Sequence, residues 1–236
     1  MTVDTKLRDG IIRAAVGLFR THGYRATSLK DIIAAAKCST GGFYHHFSSK
    51  DDLLFVIHDV FISDALDRCR AIRHRDAPAE ERLGEIIVDV VKNVARWRDH
   101  VTVFFEERRF LSTQRFGIVL DKREEYNRLV YEIIAEGYRN GEFDVSLPID
   151  IVAFGVYGMA HWTYQWMRPD DGLSAQEIGR SLARMILYGL AAEPDRARAA
   201  KTVARADASL AAGAGAGAGA EAAQRKRRAP VASSRD

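Results

Sequence analysis

Apolar residues recur every three or four positions from the N-terminus to about Glu193, and nowhere do they alternate long enough to read as a strand. Leu7, Ile11, Ala14, Ala15 and Leu18 make the first helical face, and Gly23 ends it just after His22. A second helix opens at Ser28-Leu29-Lys30-Asp31, where the serine and the carboxylate can cap each other's amides. Its inward face is Leu29, Ile32, Ile33 and Ala36. A short third helix follows over residues 40–47. Ser48 and Ser49 then lead into a long helix marked by Leu53, Ile57, Val60 and Phe61. Pro78 introduces another, with Leu83, Ile86, Ile87, Val90, Val94 and Trp97 inward. Residues 101–111 and 116–138 give two more, the latter closed by Asn140-Gly141. Residues 148–167 are apolar on most faces and read as a single helix. Ser174 and Glu177 cap the last, with Ile178, Leu182, Met185, Ile186 and Leu190 inward. The pattern predicts an all-α fold.

Composition narrows this without changing it. The 236 residues are 47% hydrophobic, enough for a sizeable core in one or two domains. No leader-like segment stands at the N-terminus, and no run approaches the ~20 apolar residues that span a bilayer. The expected compartment is the cytoplasm, with no membrane partner. Cys38 and Cys69 lie far apart without metal-ligand spacing, and read as free thiols. Charge is uneven: residues 1–50 carry +5 and residues 193–236 carry +4, which leaves −6 between them in a chain of net +3. A basic head on an acidic body is the footprint of a polyanion-binding head. After residue 192 the periodicity stops. The alternating Ala-Gly run cannot bury enough surface to offset its ordering, so residues 193–236 are expected to be a disordered basic tail. Its Arg225-Lys226-Arg227-Arg228 cluster reads as a solvated charge run more readily than as a DNA contact.

Chemistry concentrates in CSTGGFYHHFSSKDDL, residues 38–53. On a helix, Phe43 and Phe47 share one face and can pack on the preceding helices. Thr40, Gly41, Tyr44 and His45 then point the other way. Gly41 lets a DNA backbone or base edge come close, and the neighbouring hydroxyls and imidazole can hydrogen-bond phosphates. Thr27, Ser28 and Lys50 can flank the same groove as phosphate clamps. His46 reads as packed or locally capping. Because no other ligand converges on the histidines by spacing, no metal is expected. Two short helices across a tight turn, the second polar outside, form a helix-turn-helix.

Residues 5–54 resemble the DNA-binding region of the tetracycline-repressor (TetR) family through Ser28, Ile32, Ala36, Ser39, Gly41, Phe43, Tyr44, His46, Phe47, Lys50 and Leu53. Three positions depart from the family pattern. Lys37 replaces a glycine and calls for a positive φ, Ile33 replaces an alanine, and Gly42 replaces a small polar residue. The expected DNA-binding set is Thr27, Ser28, Ser39, Thr40, Gly41, Gly42, Tyr44, His45 and Lys50. The resemblance implies a three-helix head (residues 1–48) on a six-helix effector-binding and dimerisation body (residues 49–192). It also implies a homodimer formed through the last two long helices and a palindromic operator. Gly155, Gly158 and Ala160, with Gly179, Ala183 and Gly189, permit close helix approach, between subunits or within one.

Within residues 149–167, Tyr157, His161 and Gln165 recur every four positions, flanked by Trp162 and Trp166. Buried polar groups need partners, which a ligand or neighbouring helices can supply. Phe104, Phe105, Arg108, Arg109, Phe116, Arg123 and Tyr126 add rings and cations, although Arg108 and Arg109 can equally pair with Glu106, Glu107 or Glu124. Residues 105–111, 162–169 and 173–177 resemble TetR members that control fatty-acid or sterol-side-chain degradation and respond to acyl-CoA thioesters. The expected ligand-binding set is Phe105, Arg109, Tyr126, Tyr157, His161, Trp162 and Gln165. The expected effector is a small hydrophobic molecule, an acyl-CoA first and the drug-like ligands of efflux regulators second. No GxSxG elbow, phosphate-cradling glycine loop or clustered catalytic acid appears, so neither an enzyme nor a cofactor is expected.

Overall fold

A computed structural model describes residues 3–144, 146–168 and 172–190, and the regular elements among them are all helical. They are α1 (Val3–Ala26), α2 (Leu29–Ala35), α3 (Thr40–His46), α4 (Lys50–Arg73), α5 (Ala79–Arg96) and α6 (Arg98–Glu107), then a 3-10 turn at Arg108–Phe110. There follow α7 (Thr113–Arg139), α8 (Ile149–His161), α9 (Thr163–Trp166) and α10 (Ala175–Leu190). The basic tail lies outside the described residues. Among the described residues no helix is long and apolar enough to cross a membrane.

The capping chemistry forms as the sequence predicts. The Asp31 N–H donates to Ser28 Oγ at 3.2 Å and the Ser28 N–H donates to Asp31 Oδ2 at 2.9 Å. Ser174 and Glu177 repeat this box at the start of α10. Gly23, at φ 80°, breaks α1 three residues before its end. Lys37 takes φ 51°, the left-handed turn that a glycine would adopt more cheaply.

Three apolar clusters run through the molecule. Phe19, Ile32, Phe43, Phe47, Leu53 and Ile57 bind α1–α4 together, with Val103 of α6 completing that cluster. Phe61, Ile62, Val101, Phe104 and Val119 form a small middle cluster. The largest joins the end of α4 to α5, α7, α8 and α10. Ion pairs lock α7 along α4: Arg115 meets Asp51 at 2.9 Å and Asp52 at 2.5 Å, and Arg70 meets Glu125 at 2.7 Å.

Two expectations need correction. Residues 148–167 are not one helix. The Thr163 hydroxyl donates to the Ala160 carbonyl at 2.7 Å, and α8 gives way to the single turn of α9 across Trp162. Met185 does not face inward: it is 63% exposed, and with Ile151, Phe154 and Tyr188 it leaves apolar surface on α8 and α10. The small residues divide as well. A Cβ on Gly179 would lie 2.9 Å from Val88 Cα, so this glycine brings α10 onto α5 within the subunit. Gly155, Gly158 and Gly189 face open space.

Candidate nucleic-acid face and effector cavity

Helix α3 is held by one side and leaves the other free. Phe43 and Phe47 are buried, and Ser39 Oγ caps the helix by accepting the Gly42 N–H at 3.0 Å. Thr40, Gly41, Tyr44 and His45 are exposed together. A Cβ on Gly41 would meet nothing within 4 Å.

Other members of the expected DNA-binding set are placed differently. Gly42 turns toward α1, where an added Cβ would lie 3.4 Å from Leu7 Cδ2, so its small size serves helix packing. Ser28 is exposed, but its hydroxyl donates to Asp31 Oδ2 at 2.6 Å within the capping box. Thr27 is 2% exposed, and its hydroxyl donates to the Gly23 carbonyl at 2.8 Å. The Lys50 ammonium donates to the Tyr24 and Thr27 carbonyls, both at 2.8 Å, above the Tyr24 ring. It is a strut with one donor left, not a free clamp. Burial lowers its pKa against the opposing pull of Glu107. His45 and His46 each turn Nε2 toward the same Asp4 carboxylate oxygen, at 3.5 and 3.3 Å. Only the approach of α1 to α3 reveals that grouping.

The second site is a cavity of about 400 Å³ between α4, α5, α6, α7 and α8. Of the expected ligand set, Phe105, Tyr126, Tyr157 and His161 line it. Arg109 does not: it is exposed and lies over the Phe110 ring at 4.9 Å. Trp162 is 60% exposed, and Gln165 is carried to the surface by the break after α8. The omitted lining residues include Phe61 and Ile62 of α4, Asn93 of α5 and Arg123 of α7. Asn93 interrupts the apolar face of α5 between Val90 and Val94, and Arg123 stands between Val119 and Tyr126. Polar positions inside buried stripes were the available signal.

Polar groups in and beside the cavity are poorly satisfied. The buried Tyr126 hydroxyl and Asn93 Oδ1 have no hydrogen-bond partner. His161 Nδ1 lies 3.2 Å from the Tyr157 carbonyl. Behind the cavity, His58 is 1% exposed and stacks on Phe104 at 3.5 Å, with neither ring nitrogen bonded. Burial pushes the Tyr126 and Tyr157 hydroxyls upward. Burial and then the Arg123 charge lower His58 well below the ordinary 6.5 and bring His161 down to about 4.

These depressed imidazoles set a pH dependence. Unfolded histidines take protons near 6.5 while the folded ones resist, so this contribution is full above that value and falls as pH drops toward about 4 for His161. His161 alone should make the protein about 2 kcal/mol less stable to denaturant at pH 5 than at pH 7.5, and His58 adds to the loss in the same direction. His58→Leu should flatten the slope. Burial opposes ionisation of Asp52, but hydrogen bonds from Ser48 and Arg115 outweigh it and lower its pKa below 3.8, so its loss falls in a more acidic window.

Residues 76–190 match the family described as "Tetracyclin repressor-like, C-terminal domain", and residues 11–57 match "Bacterial regulatory proteins, tetR family". The HTH-type transcriptional repressor KstR2 of Mycobacterium tuberculosis is 26% identical over 187 residues, spanning 79% of this chain and 94% of that protein. Its structure, described as that of a ketosteroid transcriptional regulator, is similar at a TM-score of 0.73 over 79% of this chain and 95% of that one. A TetR/AcrR-family regulator of Thermobifida fusca is 32% identical, with a TM-score of 0.62 over 77% of this chain and 97% of that one. AibR, solved in complex with isovaleryl coenzyme A and operator DNA, shares the fold at 24% identity and a TM-score of 0.66, over 76% of this chain and 97% of that one.

Proposed function

Because the chain belongs to the TetR family of bacterial regulators, which are not enzymes, we propose that it is a transcriptional repressor released from its operator by a small hydrophobic effector. The observation that carries this reading is the course of α4. In its first turns Leu53, Leu54 and Ile57 join the apolar cluster that also holds Phe43 and Phe47 of α3, and about two turns further on Phe61, Ile62 and Ala65 line the cavity. At 1.5 Å of rise per residue, the two ends of this coupling are about 15 Å apart on one rigid rod. A ligand that shifts α4 therefore bears on the cluster that seats α3.

In this reading residues 1–48 bind DNA, residues 49–192 bind effector and dimerise, and the protein works in the cytoplasm. The exposed face of Thr40, Gly41, Tyr44 and His45 enters the major groove. The apolar surface of Ile151, Phe154, Met185 and Tyr188 pairs with a second copy. Such a dimer would set the two copies of α3 about 34–36 Å apart, one DNA turn, on a palindromic operator. The likeness to KstR2 and AibR favours an acyl-CoA thioester of lipid or sterol catabolism as effector, its apolar body held among Phe61, Val90, Val101 and Phe105.

Anisotropy titrations of DNA from upstream of the gene test this across a salt series, with and without acyl-CoAs. Affinity should fall steeply with salt. One thioester should weaken operator binding by about 5–150-fold, the usual range of allosteric coupling. An effector that fills the cavity and tightens operator binding would reverse the mechanism.

A further inference from the structure

Arg123 is the charged residue among those lining the cavity, and no aspartate or glutamate lines it. Four other arginines withdrawn from solvent are matched by carboxylates, and Arg98 donates to the Tyr164 carbonyl instead. Arg68 meets Asp64 and Asp89, Arg73 meets Glu132 and Glu136, Arg82 meets Glu136, and Arg115 meets Asp51 and Asp52. Lys122, the neighbour of Arg123, pairs with Asp59. Arg123 meets no carboxylate among the described residues. It lies over the faces of Phe104 and Phe105, 5.2 and 5.9 Å from their centroids. Arg108 approaches the same two rings at 5.9 and 5.8 Å, also without a carboxylate. The other titratable groups around Arg123 are the neutral imidazoles His58 and His161, whose charging its own charge opposes. Burial and then the Arg108 charge lower the Arg123 pKa itself.

A cation taken out of water needs a partner, and here the protein supplies only ring faces. An unmatched guanidinium on the wall of an apolar cavity, with the exposed Arg108 against the same two rings, leaves room for an anion from outside. The unbonded Tyr126 hydroxyl lines the same cavity as a further donor. We infer that the effector is an amphiphile whose anionic group, a carboxylate or a phosphate, is received by Arg123 at the Phe104–Phe105 end of the cavity, with Arg108 as a second, outer cation. This rests on the cavity being the effector site. It goes further by naming the charge the effector must carry and the residue that reads it.

The test needs no knowledge of the natural ligand. The fluorophores 8-anilinonaphthalene-1-sulfonate and N-phenyl-1-naphthylamine share an apolar body and differ in the sulfonate. The anionic probe should bind wild-type protein about 10-fold tighter or more, the scale of a hydrogen bond to a charged group, and Arg123→Gln should bring the two to parity. Equal binding by wild type, or a preference that survives Arg123→Gln, overturns the inference. Dodecanoate and dodecanoyl-CoA, used as competitors, separate the two sources. Whichever competes with wild type and weakens in Arg123→Gln identifies the group, and failure of both overturns the carboxylate-or-phosphate assignment. Arg123→Met guards against a structural role: removing an unmatched, partly buried cation should hold or raise the Tm of the free protein, and a fall marks a structural ion instead. These titrations contain no DNA. Equal binding of the two probes by wild type, or a preference that survives Arg123→Gln, therefore counts against Arg123, whereas the expected preference without any effect on operator binding counts against the repressor reading.

Discussion

Gly41→Glu is expected to cost operator binding about 100-fold or more while leaving thermal unfolding where it was, because like charges brought together at an interface cost several kcal/mol. The free protein has no reason to object. The new side chain would stand in open solvent, on a residue whose backbone is ordinary helix, and glutamate is a better helix former than glycine. It also falls in the first turn of α3, where a negative charge suits the helix dipole. Only a partner that approaches closely and carries negative charge can register the change. Anisotropy on the operator, paired with a melting curve, checks both halves. Wild-type affinity in Gly41→Glu would remove the outer face of α3 from the DNA.

Lys50→Met is expected to do nearly the reverse. The ammonium satisfies the Tyr24 and Thr27 carbonyls, and it lies near Glu107, a 7% exposed carboxylate that accepts the Tyr24 N–H at 3.1 Å. Its removal orphans two carbonyls and takes from the buried acid a cation that attracts it. The expected loss is about 2–4 kcal/mol of folding stability, read by denaturant unfolding. Operator affinity measured well below the melting temperature should change by only a few-fold. A phosphate clamp would behave differently: stability would hold, affinity would fall on every sequence, and the salt slope would drop by about one.

The contrast between these two residues shows where a linear reading stops. Gly41 and Lys50 both belong to the same family pattern and both follow from one stretch of sixteen residues. Gly41 keeps its meaning in three dimensions because its direction depends only on the phase of α3, which Phe43 and Phe47 determine. Lys50 does not. A long flexible side chain goes to whichever acceptors are near, and the Tyr24 and Thr27 carbonyls come from a break in α1 that places Gly23 at φ 80°. Thr27 turns inward too, its hydroxyl bonded to the Gly23 carbonyl four residues back.

The cavity repeats the pattern. Tyr157 and His161 line it, as their four-residue spacing on an apolar helix allowed. Gln165 would have followed had α8 continued, but a hydrogen bond from Thr163 interrupts the stripe. Arg123 sat in view between Val119 and Tyr126, yet an arginine in a charged helix ordinarily finds a carboxylate. That this one finds none is a fact about its neighbours on other helices.

The sequence by itself determined the all-α class, the caps of α2 and α10 and the apolar side of α3. Each follows from interactions spanning a few residues, which local spacing encodes. The tertiary structure alone decided which cations are neutralised, which glycines serve packing within the subunit, and which polar groups face a common cavity. Those outcomes depend on distances between segments far apart in the chain, and an ion pair or a buried hydroxyl has no periodicity that would announce its partner.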